Sequence, residues 1–521
     1  MKSEAIIGGH VTADVPGPRI ADLVEEAGRR SPGAPALVVN SARIPVSYRD
    51  LTRLVDDLAG QLKRAGLRPG DRVALRSGSN AEFVVGLLAT SRADLIAVPL
   101  DPTLPAGDQR ARSEAVGARA VLIDGDAPGD QREPGLPWWP LAVTESGPTV
   151  RLHVTGAPAQ HVSTPEGLRD DDAMIMFTGG TTGMPKMVPW TRGNIAASVR
   201  AIIAGYGLGP GDATVAVMPL YHGHGLLAAL LGTLVSGGAV LLPARGRFSA
   251  HTFWDDIEAA GATWYTAVPT IHQILLERAE TDRPGDAALR FIRSCSAPLT
   301  AETAQALQDT FSAPVVCAFG MTEATHQVAT TEIGHTENPA ATSGLVGRST
   351  GPEIRIVGPD GRPVPAGEVG EVWLHGPTVV RGYLGDPAIT AANFTDGWLR
   401  TGDLGTLSAA GELVIRGRIK ELINRGGEKI SPERVEGVLS SHPDVLEVAV
   451  FGVPDKLYGE TVAAVIVPRG SAAPTADELA AFARDRLAPF EVPASFRQAA
   501  ELPHTAKGSL DRRAVAERFA S

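Results

Sequence analysis

Ala173-Met174-Ile175-Met176-Phe177-Thr178-Gly179-Gly180-Thr181-Thr182-Gly183-Met184-Pro185-Lys186 joins a short apolar run to a loop dense in threonine and glycine. Five consecutive apolar residues closed by glycines read as a buried strand. Glycine permits tight turns and close backbone approach, so the loop's N–H groups can converge on phosphate oxygens. Lys186 would add a positive charge. The spacing is not that of a Walker loop, because no Gly-Lys-Ser/Thr follows the first glycine at the required interval. Taken alone, the same turn also serves as a plain strand-to-loop connection.

On both sides of this segment, apolar strands alternate with helical periodicity. Helices are expected from Ile20 to Arg29, Tyr48 to Ala65, Ala81 to Arg92 and Asn194 to Gly205, with strands at Val73 to Leu75, Ala97 to Leu100, Gly117 to Ile123, Trp264 to Val268 and Phe291 to Ser294. The alternation predicts a parallel α/β sheet. From Gly344 to Val414 short strands punctuated by glycine and proline predict a β-rich subdomain. A last unit, about Glu421 to Ser521, has its own strand and helix pattern. The expected fold class is therefore α/β: an N-terminal domain, residues 1–419, of parallel-sheet subdomains plus a β-rich one, then a small α+β domain, residues 420–521. The stretch Gly125 to Pro140 reads as a surface loop, and Gly223 to Pro243 as a buried helix plus strand.

At 521 residues the chain can build more than one core. Hydrophobic residues make up 43% and charged residues 21%, which places it among ordinary globular proteins. A net charge of -11 argues against nucleic acid as a main partner, since backbone binding needs a basic face. Two cysteines, Cys295 and Cys317, do not make a disulfide framework and fit a reducing compartment. The run Gly223 to Pro243 comes closest to the ~18 to 20 apolar residues of a membrane span, but it carries His224 and several glycines, so no span is expected. The N-terminus lacks the apolar run of a signal peptide, and the chain does not end in Ser-Lys-Leu, so the cytoplasm is the expected location.

Further strings follow the loop in order: Pro219-Leu220-Tyr221-His222, Ser296-Ala297-Pro298-Leu299, Phe319-Gly320-Met321-Thr322-Glu323, Trp398-Leu399-Arg400-Thr401-Gly402-Asp403 and Gly417-Arg418. Together with the segment from Thr178 to Lys186, they resemble the adenylate-forming superfamily of acyl- and aryl-CoA synthetases, luciferases and peptide-synthetase adenylation domains. The resemblance covers nearly the whole chain. It implies an ATP-dependent acyl-CoA synthetase that converts a carboxylate and ATP to acyl-AMP and pyrophosphate, then forms a thioester with CoA. Its cofactors would be ATP, magnesium and CoA.

By the same resemblance, Thr178, Gly179, Gly180, Thr181, Thr182, Gly183 and Lys186 hold phosphates, and Ser296, Ala297, Pro298 and Phe319 belong to strings beside the nucleotide. Thr322 would meet the α-phosphate, Glu323 would help hold magnesium, and Asp403 with Arg418 would hold the ribose hydroxyls. These roles make chemical sense. Attack of a carboxylate on an α-phosphate needs negative charge neutralised on both partners. An ionised Asp403 can accept from two vicinal hydroxyls while Arg418 donates. His222 would line the acyl pocket or assist catalysis.

The family's C-terminal domain is mobile and pivots two residues after the ribose-binding arginine, which is Lys420 here. The following segment, with Gly426 and Gly427, resembles the CoA-ligase stretch whose glycine lets a pantetheine arm pass. It favours CoA over a carrier protein. The chain also departs from the family. Where a catalytic lysine is expected, Pro503-His504-Thr505-Ala506-Lys507-Gly508-Ser509 places Ser509, with Lys507 two residues earlier. Losing that contact would cost on the order of ~3 kcal/mol in the adenylation barrier. In an extended segment, residues two apart point the same way about 6 to 7 Å apart, so Lys507 could serve by a small slide. Glu491, where relatives carry lysine, reads as a surface change, and Met187, where many carry glycine, as a change in loop packing.

Among the branches, the oxalate-CoA ligases are the most similar, on Gly246-Arg247-Phe248-Ser249-Ala250, Trp264 to Gln273, Arg293-Ser294-Cys295-Ser296 and Met321 to His326. A small dicarboxylate needs donors for its second carboxylate, and His222, Ser294 and His326 lie in or beside the pocket strings. The alternatives are a medium- or long-chain fatty acid, which would want an apolar tunnel, and an adenylation-impaired nucleotide- or acyl-adenylate-binding homologue.

Overall fold

The protein is described by a computed structural model over residues 17–39, 41–125, 135–144, 148–160, 162–178, 185–279, 281, 288–334, 344–470, 473–504 and 510–519. The apolar run that opens the sequence argument forms the strand Asp172–Thr178, second from the edge of a seven-stranded sheet. Its neighbour inward is Ile96–Leu100, then Arg72–Arg76 and Ala118–Asp124, all parallel. Its outer neighbour, Lys186–Thr191, returns antiparallel with Thr178 directly opposite Lys186. The two ends of the glycine-rich loop are thereby clamped together. Gly179, Gly180, Thr181, Thr182 and Gly183 lie outside the described residues.

A ten-stranded sheet carries most of the other strings. It begins with parallel strands Trp264–Ala267, Phe291–Ser294 and Val315–Met321, then turns antiparallel through His326–Thr330, Leu345–Ser349, Glu412–Arg418, Trp398–Leu407, Gly370–His375 and Glu353–Val357. The parallel part is buried on both faces, so its strands read as nearly continuous apolar runs. A four-stranded sheet holds Ala213–Val215, Ala239–Leu241, Pro35–Val39 and Ile44–Ser47. A five-stranded sheet draws all its strands from Ile423 onward.

The expected helices form where the 3.6-residue pattern places them. Ile20–Arg29 and Ala81–Arg92 match that pattern end to end, and Tyr48–Arg64 is capped by Ser47, whose side chain accepts from the Asp50 amide. The run from Gly223 to Pro243 is a buried helix and strand, as expected, but its first part, His224–Leu231, is wound as a π-helix before α-helix Gly232–Ser236. Gly225 permits this start, since a Cβ there would lie 2.3 Å from the Met218 carbonyl oxygen.

Three local readings need correction. Gly125 to Pro140 is not all surface loop: Trp138, Trp139 and Pro140 open the strand Trp138–Thr144, and Trp139 is fully buried against the helices covering the seven-stranded sheet. Glu491 is not a surface change. It is 7% exposed, accepting from Arg434 Nε at 2.7 Å and from the Ala488 amide at 2.9 Å, so it closes a turn and pairs with helix Pro432–Ser440. Met187 sits in a strand opposite Phe177, with its carbonyl accepting from the Leu384 amide at 2.9 Å.

Gly320 lets the hairpin between Val315–Met321 and His326–Thr330 close. A Cβ there would sit 1.9 Å from the His326 carbonyl oxygen. The expected result for Gly320→Ala is a loss of at least about 1 to 3 kcal/mol of stability, read as a lowered urea midpoint, because backbone must move to admit the methyl. An unchanged midpoint would refute this packing.

Candidate active site

Several of the strings meet through side chains. Lys186, at the exit of the glycine-rich loop, places Nζ 3.3 Å from Asn393 Oδ1, 3.4 Å from the Tyr383 hydroxyl and 4.5 Å from the centre of the Tyr383 ring. That hydroxyl donates to Glu323 Oε1 at 2.9 Å. Glu323 is 9% exposed and stands in the one-turn helix Thr322–Ala324 that follows the strand Val315–Met321. The Thr322 carbonyl accepts from Trp190 Nε1 at 2.8 Å, tying the site's two sheets together at this point. Burial, with Glu323 alongside, drives the Tyr383 hydroxyl far above its ordinary pKa, so it remains a donor.

Asp403 and Arg418 are cross-strand partners in antiparallel register, with Arg418 Nε 3.0 Å from Asp403 Oδ1. Asp403 is nearly buried, whereas the Arg418 side chain is half exposed. Burial pushes the Asp403 carboxyl up to about 6, against the pull of Arg418. The charge of Glu323 is felt at both residues, so the pair and the Lys186–Tyr383–Glu323 group belong to one electrostatic neighbourhood.

A second cluster lies at the ends of the parallel strands. Ser294 closes Phe291–Ser294, and its Oγ is buried with no hydrogen-bond partner among the described residues. Ser294, Ala297 and Pro298 line a small cleft with Cys317, Ala318 and Leu345. Ser296 is held at φ 73°, and its Oγ lies 3.1 Å from His224 Nδ1. The His224 ring stacks on that of His326, centroids 5.3 Å apart. Arg293, fully buried, bridges the two, and the described groups that its donors reach, Tyr206, His224, Thr266, His326 and Gln327, are all uncharged. His222 is half-buried, edge-on to the Tyr221 ring at 4.8 Å. Phe319 packs half-buried against the core of the antiparallel region.

Beyond Arg418 the chain stays close to the pair, and the charges of Glu421 and Glu433 are felt at Arg418. Gly426 and Gly427 form the two-residue turn between Ile423–Arg425 and Glu428–Ile430, with φ of 60° and 98°, conformations that favour glycine in a tight hairpin. Lys420 is exposed in the single turn Ile419–Glu421. Its neighbour Glu421 is bound to Arg512, which also reaches Glu436 at 2.7 Å and Glu433 at 3.3 Å. Lys507 and Ser509 lie outside the described residues. The flank of that segment is pinned where His504 Nε2 meets Glu447 at 2.6 Å.

Tyr383, Asn393, Trp190 and His224 were not singled out by sequence reasoning, nor was Arg293 as a site residue. Arg293 did leave a signal: a lone charge in the otherwise apolar-facing strand Phe291-Ile292-Arg293-Ser294. The others look like ordinary core or surface residues until the fold brings them together.

The AMP-binding enzyme family matches residues 24–384, and the AMP-binding enzyme C-terminal domain matches residues 434–509. The chain belongs to the AMP-binding enzyme family. An oxalate–CoA ligase of Arabidopsis thaliana is 41% identical over 511 residues, covering 96% of this chain and 98% of that protein. An oxalate–CoA ligase of Saccharomyces cerevisiae is 34% identical, covering 93% of this chain and 94% of that protein. The crystal structure of ATP-bound MatB from Rhodopseudomonas palustris aligns at a TM-score of 0.84 and 27% identity, over 96% of this chain and 99% of that one. The resemblance read from the ordered strings is thus borne out, the oxalate-CoA ligase branch included. This family member is an AMP-forming acid–thiol ligase that takes a carboxylate, ATP, magnesium and CoA.

The residues present fit a nucleotide-borne magnesium ion. Among the described residues no group of three or more acidic, histidine or cysteine ligands gathers. Magnesium in nucleotide sites keeps waters and phosphate oxygens and takes only one or two carboxylates, which a single Glu323 with one oxygen held by Tyr383 can supply. No described helix is long and apolar enough to cross a membrane.

Tyr383→Phe deletes the hydroxyl that holds Glu323 and lies near Lys186. The expected effect is a fall of roughly tenfold in ATP–pyrophosphate exchange, the worth of one hydrogen bond to a charged group. An exchange rate equal to wild type would show that this contact does not position Glu323.

Proposed function

We propose that this ligase activates oxalate, or a closely similar short dicarboxylate, and transfers it to CoA. The observation that carries the reading is the fully buried Arg293, whose partners among the described residues are all uncharged, beside the Ser294 hydroxyl that no described residue partners and the paired imidazoles of His224 and His326. A buried cation without a counter-ion is costly, and an anionic substrate lodged nearby would offset part of that cost. An apolar tunnel for a fatty chain would not be lined this way. The high identity to oxalate–CoA ligases supports the same substrate class.

In this reading a substrate carboxylate oxygen attacks the α-phosphorus and pyrophosphate leaves; the CoA sulfur then attacks the acyl carbon and AMP leaves. Thr178, Lys186 and the loop between them cradle the phosphates, and Thr322 meets the α-phosphate. Glu323 would hold magnesium, which neutralises phosphate charge when bound. Asp403 and Arg418 take the ribose hydroxyls, and the segment from Ser296 to Pro298, with Phe319, lies at the adenine. His222 lines the acid pocket with Ser294 and His326. Residues 420–521 move as a unit about Lys420 between the two half-reactions, and the turn at Gly426 and Gly427 admits the pantetheine arm. Lys507 takes the part of the displaced lysine. Cys295 and Cys317, both buried and free, suit a reducing compartment such as the cytoplasm.

Exchange of labelled pyrophosphate into ATP with a panel of oxalate, malonate, acetate and octanoate tests the substrate. Oxalate is expected to lead, and exchange with octanoate alone would overturn the reading. In the same assay Lys507→Ala should abolish exchange. Wild type that binds ATP without exchanging, but exchanges as Ser509→Lys, would instead favour the adenylation-impaired homologue that the displaced lysine suggests. A pH series tests the ribose site. As pH falls through about 6, Asp403 takes up a proton and loses its charge as an acceptor. KM for ATP should therefore rise on the acid side of that value, and a flat profile from pH 5 to 8 would remove Asp403 from the site.

A further inference from the structure

Arg293 does more than carry charge. A guanidinium has five N–H donors and no lone pair, and each of the five here has an acceptor. Nε donates to the Tyr206 hydroxyl at 2.7 Å. Nη1 donates to Thr266 Oγ1 at 3.0 Å and to His224 Nε2 at 3.1 Å, and Nη2 donates to Gln327 Oε1 at 3.1 Å and to His326 Nε2 at 3.2 Å. With every donor used inside the fold, Arg293 has none left for a substrate. Its influence must pass through its acceptors.

Two of those acceptors are imidazole nitrogens, and a nitrogen that accepts from a guanidinium cannot also carry a proton. In both rings the proton is therefore on Nδ1, because the bond made by one ring nitrogen sets the state of the other. The Thr266 hydroxyl accepts from Arg293 Nη1 and lies 2.6 Å from His224 Nε2, so it shares the single lone pair of that nitrogen with Arg293. A protonated ring would set N–H against N–H and charge against like charge. On its far side His224 Nδ1 meets Ser296 Oγ at 3.1 Å, so the ring donates to that hydroxyl. No described residue accepts from His326 Nδ1.

We infer that Arg293 is a positioning residue that holds His224 and His326 as neutral Nδ1–H tautomers, His224 orienting the Ser296 hydroxyl and His326 presenting a preset N–H donor to the substrate acid. The identity of that acid rests on the function proposed above; the tautomers do not. Burial and then Arg293 push both imidazoles well below their ordinary pKa, in keeping with the geometry. The groups facing them from neighbouring elements are Tyr206, His222, His272 and Cys295, and none is a carboxylate.

Long-range proton–nitrogen correlation spectra of the full-length protein labelled with nitrogen-15 histidine read the tautomers directly. His224→Gln and His326→Gln supply the assignments. The expected result is an Nδ1–H signature for both rings from pH 6 to 8. An Nε2–H form or an imidazolium at either ring overturns the inference. Arg293→Lys keeps the charge but not the five-way fork. It should mix the tautomers and raise KM for oxalate roughly tenfold or more, with KM for ATP changing by less than about twofold. An unchanged oxalate KM, or equal rises in both, overturns the positioning role. Should the variant not fold, the wild-type spectrum decides alone. Nδ1–H spectra from a protein inactive on oxalate uphold the tautomers and overturn the substrate reading.

Discussion

A buried guanidinium with only uncharged partners constrains this structure more than any other single group described. Taking such an ion out of water costs several kcal/mol even after relaxation, and no described carboxylate repays it here. The repayment is geometric, because Arg293 reaches the end of helix Arg192–Tyr206, the strands Trp264–Ala267 and His326–Thr330, and the first residue of the π-helix. Those elements are packed around one cation whose bonds fail together if any of them shifts. The π-helical winding from His224 and the left-handed backbone at Thr325 and His326 are local costs borne at this place.

The side of the site proposed for the nucleotide is built differently. Its residues are set by strand register: Thr178 faces Lys186 and Asp403 faces Arg418 across antiparallel pairs, so a one-residue slip would turn either pair away from the other. Lys186, Tyr383 and Glu323 then link the loop's exit to the turn at Thr322. Register places these groups to within a side chain's reach, and hydrogen bonding does the rest. With the roles proposed above, this division suits a ligase that holds one constant substrate, ATP, and whose acid pocket must be particular.

Much of this was legible in the chain. The alternating apolar runs and the ordered strings identify the α/β fold and the family, because a nucleotide site needs glycine, threonine, acidic and basic groups at fixed places along few elements. Glu491 shows where such reading stops. As a letter it looked like a surface substitution, and only folding shows it buried against Arg434. Trp138 and Trp139 were hidden by the glycine and proline around them. Tyr383 and Asn393 lie far along the chain from Lys186 and carry no local pattern.

What the sequence by itself determined is the chemistry available: the loop ending in Lys186, the acidic and basic groups proposed for the ATP site, and a charge placed inside an apolar strand at Arg293. Periodicity and spacing record such choices because they act through neighbours in the chain. What only the tertiary structure decided is which nitrogens meet which donors. The protons on His224 and His326 follow from contacts made across elements distant in sequence, and hydrogen-bond geometry at 3 Å has no trace in residue order.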